Sequence, residues 1–407
     1  MNTQHTQPTG VEDHCRRIRR LAHPPAPVEL PLMDCLGLLL ERDVVARVPV
    51  PAFDCSAMDG FAVRRADLAE VPCTLPVDGE VPAGAAPVSP APGHAVRIMT
   101  GARVPDGCDV VVPVEQTDAR PGAGPVPQQV TITGFDGRSH IRTAGEDVRI
   151  GDTVLKAGTR LSATHLAAAA ATGLVRLPVR RRPLVALVTT GDELSAPGVQ
   201  LGSAQIPDSN SVLVAGLLQE LGAEVSGVHH AGDEAAILEA QLAALSPTPD
   251  LVVTTGGVSV GSHDVVQAWA ATSPSAHVEL GHVAMQPGSP QGWGHVDIAG
   301  MRVPIICLPG NPVAVHVGVH LFVRAALDEL SGLPDSRRLL SCVAAADFSA
   351  RPGTTRLVDV VLDGTSALPA PGGHGSHRIG TLHQCDGLAI ITAPVARGDQ
   401  IQVLLTR

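Results

Sequence analysis

The stretch Asp250–Asp264, DLVVTTGGVSVGSHD, concentrates the residue types best suited to chemistry. Leu251, Val252 and Val253 form an apolar, β-branched run of the kind a buried parallel strand needs. The run ends at Thr254 and Thr255, passes Gly256, Gly257, Ser259 and Gly261, and enters a helix-like segment at His263–Ala271. A strand that opens through glycines into a helix gathers backbone N–H groups at one point, a setting for a phosphate. Asp264 stands at the same point, and a carboxylate repels a phosphate unless a cation lies between them. The combination predicts a phosphate held through a divalent metal, with magnesium the fitting ion. The loop has neither the Gly-Lys-Ser/Thr of a P-loop nor a dinucleotide fingerprint, and taken alone a plain strand-to-helix turn explains it equally well.

Three more stretches carry similar chemistry: TTGDEL (Thr189–Leu194), AGDE (Ala231–Glu234) and LPGNP (Leu308–Pro312). Each follows an expected strand, at Leu184–Thr190, Glu224–His229 and Val303–Leu308, alongside Leu251–Thr255. Helices are expected at Ser211–Leu221, Glu234–Leu245, His263–Ala271 and Pro312–Leu330. Strand and helix alternate, which predicts a doubly wound α/β domain whose loops converge at the carboxyl edge of the sheet. Convergence would bring Asp192, Glu193, Asp233, Glu234 and Asp264 beside the glycine turns, and this is stronger evidence than any one loop. His316 and His320 lie four apart on one helix, a spacing that could chelate zinc, but they sit among valines with no third ligand in view. A packed pair is the better reading, and His229-His230 reads as a strand end.

The flanking regions differ in character. Val11–Ala22 reads as a basic amphipathic helix and Leu32–Val45 as a second helix with Leu36, Leu39 and Leu40 as its stripe. Residues 48–139 are rich in Pro and Gly with short Val-rich runs, the mark of a small β-domain. It contains PAFDCSAMDGFAV (Pro51–Val63), read as an Asp-Gly turn between two strands, and VRIMTGARVPDGCDVVV (Val96–Val112) with Thr100 in its loop. Residues 140–180 return to helix-forming sequence, with Arg142 near Glu146 and Asp147 and with Ser162 placed to cap a helix ending at Gly173. Helical sequence on both sides of the β-domain predicts one discontinuous domain interrupted by an insertion. Leu339–Arg407 reads as short strands and turns, a small barrel or sandwich that carries Arg356 and the Gly375-Ser376-His377 loop.

Composition narrows the function. A chain of 407 residues with net charge −11 and no basic stripe argues against nucleic acid as the main partner. No apolar run is long enough to span a bilayer, and MNTQHTQPTG has none of the regions of a signal peptide. Eight scattered cysteines, none at zinc-site spacing, fit a reduced cytoplasmic protein. Lys156 is the sole lysine, so a site that needs a fixed cation would normally carry Arg.

The motifs FDCSAMDGFAV, IMTGARVPDGCD, TAGED, TTGDEL, DSN, TTGGVSVGSHD and LPGNP, in that order, resemble those of the molybdopterin molybdenumtransferase family, which includes the E domain of gephyrin. The resemblance runs from about Val28 to the end of the chain. It implies an α/β multidomain fold: a discontinuous helical linker domain (11–45 and 140–180), an inserted β-domain (46–139), a doubly wound α/β molybdopterin-binding domain (181–332) and a C-terminal β-barrel (333–407). It also implies an elongated homodimer with a shared active site. The implied reaction is magnesium-dependent insertion of molybdate into adenylylated molybdopterin, with release of AMP.

By the same resemblance, Asp59, Thr100, Asp147, Glu193 and Asp264 are the catalytic candidates, with Asp59 and Thr100 supplied by the partner subunit. Thr190, Gly191, Asp192, Ser209, Gly256, Gly257, Ser259, Gly261, Pro309, Gly310 and Asn311 are candidates to hold the pterin nucleotide. Asp233 and Asp264 would hold magnesium. Arg356 and Ser376 would form an anion site for molybdate, with Arg142 in support. The chain departs from the family in one place: HVAMQPGSPQG (His282–Gly292) has His282, Gln286 and Ser289 where relatives commonly carry lysines. Three readings therefore stay open: an active transferase, a paralogue that binds the nucleotide but inserts metal poorly or handles another oxyanion such as tungstate, and a non-enzymatic dimeric scaffold. Proteins that handle molybdopterin are the expected partners beyond a second copy.

Overall fold

The computed structural model describes residues 8–122, 124–259, 264–371 and 378–407. Near its start, Val11–Leu21 forms helix α1. Glu12 and Asp13 occupy the first turn and Arg19 and Arg20 the last, which complements the helix dipole. Val11, His14, Cys15 and Ile18 recur at three- to four-residue spacing and are buried. Arg19 pairs with Asp328 at 3.1 Å and Arg337 with Glu12 at 2.8 Å, tying α1 to residues beyond 180. The chain divides into two compact units, residues 28–179 and α1 together with residues 180–407.

In the unit 28–179, strands β1 (Val28–Pro31) and β2 (Leu39–Leu40) flank a later strand of the same unit. The helix expected over Leu32–Val45 does not form. A single 3-10 turn covers Leu32–Cys35, and Gly37 follows at φ +80°, a left-handed conformation that a continuing helix cannot use. Leu36 is exposed while Leu40 is buried, so the apparent stripe belongs to no common face. Strands β3 (Gly60–Val63), β4 (Cys73–Val81), β5 (Ala95–Ile98), β6 (Val110–Pro113) and β7 (Gln129–Ile132) form, among the described residues, one sheet in the order β6-β3-β5-β4-β7. A Cβ at Gly60 would collide with the Val112 carbonyl, so the close approach of β3 to β6 requires glycine there. The Asp59-Gly60 step is not a hairpin turn. Cys55–Ser56 pairs with Ile141–Arg142 while β3 pairs with β5 and β6, so the flanking segments join different sheets. Helix α2 (Ala163–Ala171) begins after Ser162, whose N–H donates to His165 Nδ1 at 3.0 Å, and Gly173 follows its end at φ +81°. Strand β8 (Arg176–Arg180) runs between β1 and β2.

The second unit is built on strands β9 (Leu184–Thr190), β10 (Glu224–Ala231), β11 (Leu251–Thr255), β12 (Ala276–His282), β13 (Met285–Gln286), β14 (Pro290–Ile298) and β15 (Met301–Leu308). Six of them form a sheet in the order β10-β9-β11-β15-β14-β12 among the described residues. The four strands expected from the sequence are parallel; β14 and β12 extend the sheet antiparallel beyond β15. Helices α3 (Ser209–Glu220), α4 (Ala235–Ala243), α5 (Val265–Thr272), α6 (Pro312–Gly318) and α7 (Arg324–Leu330) cover the sheet, with a π-helical turn at Val319–Val323 joining the last two. Val185, Leu187, Val253 and Ile306 pack on one face with Val214, Leu218 and Phe322; Ala186, Val188, Val252 and Ile305 pack on the other with Leu238, Val266 and Trp269. Burial on both faces is why these strands read as continuous apolar runs. Each such Val, Leu or Ile contributes about 1.5–3 kcal/mol of transfer free energy.

Strands β16 (Leu339–Ala344), β17 (Thr355–Asp363), β18 (Ser366–Pro369), β19 (Gly387–Ile391) and β20 (Gln400–Leu405) follow. They pair in the order β17-β18-β16-β20-β19, and β19 pairs back onto β17, so the sheet closes as the barrel expected from the sequence. Strand β13 adds to the barrel in parallel with β17, setting Gln286 beside Arg356.

Candidate active site

Glycine geometry at the strand ends of the α/β sheet opens a cleft. After β9, Gly191 adopts φ +134°, and a Cβ there would strike the Glu193 carboxylate. After β11, Gly256 adopts φ +96°, where a Cβ would lie 2.6 Å from Thr190 Oγ1. Gly257 follows at φ +64°, with Val265 at 2.8 Å from the equivalent point. The Thr190 hydroxyl donates to the Thr255 carbonyl at 3.1 Å and Gly256 N–H to Leu308 O at 2.9 Å, so β9, β11 and β15 end in register. After β15, Gly310 would place a Cβ 3.6 Å from the Gly256 Cα, and its carbonyl accepts the Asn210 side-chain N–H at 2.7 Å. Two-residue strands Leu194–Ser195 and Ile206–Pro207 pair in parallel and bring Asp208, Ser209 and Asn210 to the same edge. Asp208 caps α3 by accepting Ser211 N–H at 3.0 Å.

These loops and the barrel enclose a cleft of about 990 Å³. Thr190, Gly191, Glu193, Ser209, Asp233, Gly256, Gly257, Ser259, Asp264, Pro309, Gly310, Asn311 and Arg356 all line it. Asp192 sits just behind this wall: its carboxylate accepts Asp233 N–H at 3.2 Å, and its own N–H points to the Asp233 carboxylate at 3.5 Å. Glu234 serves as the residue before α4. Gly261 and Ser376 lie outside the described residues. Asp59, Thr100, Arg142 and Asp147 belong to the unit 28–179. There, Asp59 accepts both the hydroxyl and the N–H of Thr100 at 2.7 Å, which holds its carboxyl below the ordinary range. Asp147 N–H bonds to Val50 O at 3.0 Å, and Arg142 is exposed opposite Cys55.

Several cleft residues escaped the sequence reading. Asp359 from β17 and Arg378, just before the 3-10 turn Ile379–Gln384, both line it. Burial pushes the Asp359 carboxyl up to about 6. His316 Nδ1 stands 3.8 Å from that carboxyl and contacts the His320 ring edge-on at a 4.6 Å centroid distance. Burial drives His316 down to about 4 and His320 to about 2, as suits a packed pair. In the lysine-poor loop, Gln286 and Ser289 line the cleft; His282 does not, and Ser289 donates to Val283 O at 2.8 Å. Arg356 is anchored by Ser349, whose carbonyl and hydroxyl accept from Nη1 at 2.8 and 2.6 Å.

Among the described residues, no three His, Cys, Asp or Glu groups gather as a metal cage. Asp233 and Asp264 nonetheless share the cleft. Two cleft carboxylates fit magnesium, which retains waters and completes its octahedron with substrate phosphate oxygens.

Comparison with known proteins gives consistent matches over most of the chain. Residues 9–173 match the model of the MoeA N-terminal region (domain I and II), and residues 186–329 match that of a probable molybdopterin binding domain. Molybdopterin molybdenumtransferase 2 of Mycobacterium tuberculosis is 39% identical, covering 97% of this chain and 98% of its own. Molybdopterin molybdenumtransferase of Haemophilus influenzae is 33% identical, covering 84% and 82%. Among solved structures, a molybdopterin biosynthesis moea protein from Pyrococcus horikosii superposes with a TM-score of 0.79 at 27% identity, covering 98% of this chain and 100% of that one.

Proposed function

The chain belongs to the molybdopterin molybdenumtransferase family, and from that premise we propose that it inserts molybdate into adenylylated molybdopterin, with magnesium bound and AMP released. One observation carries the reading: glycine turns, two carboxylates and a fixed cation line a single cleft. The backbone at Gly191, Gly256 and Gly257 lets a pyrophosphate come close because no Cβ stands in the way; the Gly191 and Gly256 N–H groups themselves are given to Ala231 O and Leu308 O. Asp233 and Asp264 would hold magnesium, whose charge would neutralise the pyrophosphate and polarise the bond to be broken. Asp192 positions Asp233 through the paired backbone bonds, and Glu193 is placed to orient a water or the substrate. Thr190, Ser209, Ser259 and Asn311 supply hydroxyl and amide contacts to the nucleotide, with Pro309 and Gly310 shaping the turn. Arg356 takes the molybdate. Water cleaves the phosphoanhydride and AMP leaves; the two dithiolene thiols bond to molybdenum as one molybdate oxygen takes their two protons and departs as water.

The same reading includes a homodimer, in which Asp59 and Thr100 of the partner subunit, supported by Arg142 and Asp147, complete each site. It includes four subdomains at the boundaries expected from the sequence, except that α1 groups with residues 180–407, together with a cytoplasmic location and exchange with other molybdopterin-handling proteins. No helix of the described residues is long and apolar enough to cross a membrane.

The test is incubation of purified protein with adenylylated molybdopterin, magnesium and molybdate, following AMP and active cofactor separately. Both should form. AMP without cofactor would favour the nucleotide-handling paralogue, and neither product from folded protein would favour the scaffold.

A further inference from the structure

We infer that Arg378 is a specificity-determining residue that supplies, with Arg356, the fixed positive charge at the oxyanion end of the cleft. The inference deepens the molybdate-insertion reading and rests on it. Charge is distributed unevenly along the cleft. Glu193, Asp208, Asp233 and Asp264 come from the α/β loops, whereas Arg356 and Arg378, with the one carboxylate Asp359, come from the barrel side. A tetrahedral dianion is repelled at the first end, and at the second two arginines outweigh one carboxylate.

Three contacts define the second end. Gln286 pairs with Arg356 across β13 and β17. Gly288, two residues on, would place a Cβ 3.6 Å from the Ala314 Cβ of α6. The 3-10 turn that begins beside Arg378 packs on that same helix. The lysine-poor loop, Arg356 and Arg378 therefore gather around one helix.

One cation does not suffice there. Arg356 already spends Nη1 on Ser349, and the loop offers only the neutral Gln286 and Ser289. A doubly charged anion leaving water is held well only by several charge-assisted donors. Arg378 is exposed and has no carboxylate partner among the described residues, so its guanidinium is available. A planar five-donor group suits a tetrahedral oxyanion. In a chain with one lysine, remote from this site in sequence, arginine is the expected carrier of the charge.

The experiment compares wild type, Arg378→Leu, Arg378→Lys and the double variant Arg378→Leu with Gln286→Lys. Half-saturating molybdate for cofactor formation is measured at fixed magnesium, and binding of molybdate and of tungstate to the purified protein by equilibrium dialysis. Arg378→Leu should raise half-saturation about tenfold, the worth of one charge-assisted contact, and flatten its salt dependence. Affinity for adenylylated molybdopterin should hold. Arg378→Lys should retain most of the effect, and Gln286→Lys should rescue the leucine variant, which a purely structural role would not allow. Unchanged half-saturation and dialysis binding in folded Arg378→Leu would overturn the inference. If wild type forms no cofactor at all, the insertion reading fails, and dialysis still decides whether Arg378 holds the anion.

Discussion

At the scale of single residues, the cleft depends on atoms that are absent as much as on those present. Gly256→Ala would put a methyl group 2.6 Å from Thr190 Oγ1 and 2.8 Å from its carbonyl oxygen, at a φ of +96° that an L-residue resists. The expected loss is about 1–3 kcal/mol in urea unfolding, together with weakened nucleotide binding. Asp264→Asn keeps the shape and removes a charge that would offset magnesium dehydration. AMP release should then fail at every magnesium concentration while circular dichroism matches wild type; normal turnover would refute the metal assignment. Asp359 would make the proposed oxyanion end sensitive to pH. Burial raises its carboxyl to about 6, so it is charged at neutral pH and neutral below that value. Its buried neighbour His316, lowered to about 4, stays neutral across the same range and offsets nothing. Half-saturating molybdate should fall between about pH 7.5 and about pH 5.5, and Asp359→Asn should be low and flat across it.

At the scale of elements, the run from α6 through the π turn into α7 buries ionisable groups inside an apolar layer. His316 and His320 are lowered to about 4 and about 2 by burial, His320 further by His316 and Arg324. Their folded values lie below the ordinary value of 6.5, so the unfolded chain binds protons first as pH falls. Stability is therefore present above about pH 6.5 and is lost on descent toward about 4 and below, by about 2 kcal/mol per imidazole at about pH 5. Asp359 has the opposite sign: its raised value lets the folded state gain protons between about 6 and the ordinary 3.8, which offsets part of one imidazole. The net effect is acid destabilisation. Urea midpoints measured at about pH 7 and about pH 5 should separate for wild type and draw together in His320→Leu; an unchanged separation would remove His320 from the account.

At the scale of the whole molecule, the proposed sharing of a site between subunits has a direct consequence. An Asp59→Ala subunit lacks one half of the proposed site and an Asp264→Ala subunit the other. Mixed in equal amounts, they should form heterodimers with one intact site, and AMP release should return to about a quarter of wild type with random pairing. Two folded, dimeric variants that stay inactive on mixing would argue against a shared site.

Much of this protein was legible in its sequence because the informative patterns are local. Leu184–Thr190 and Leu251–Thr255 announce buried strands by composition, and those strands carry their bounds unchanged into the fold. The glycines and acids that follow them converge because parallel strands end on one edge, and the order of the motifs was enough to suggest the family. What depends on distant pairing was not legible. Ala276–His282 and Pro290–Ile298 alternate weakly, and only their partners make them an antiparallel extension of the sheet. Leu32–Val45 has a helical stripe that strand pairing and Gly37 override. Asp359 and Arg378 enter the site only because barrel and α/β loops meet at one cleft. The register that sets Gln286 against Arg356 joins residues far apart in sequence, and no window of sequence contains both halves of that contact.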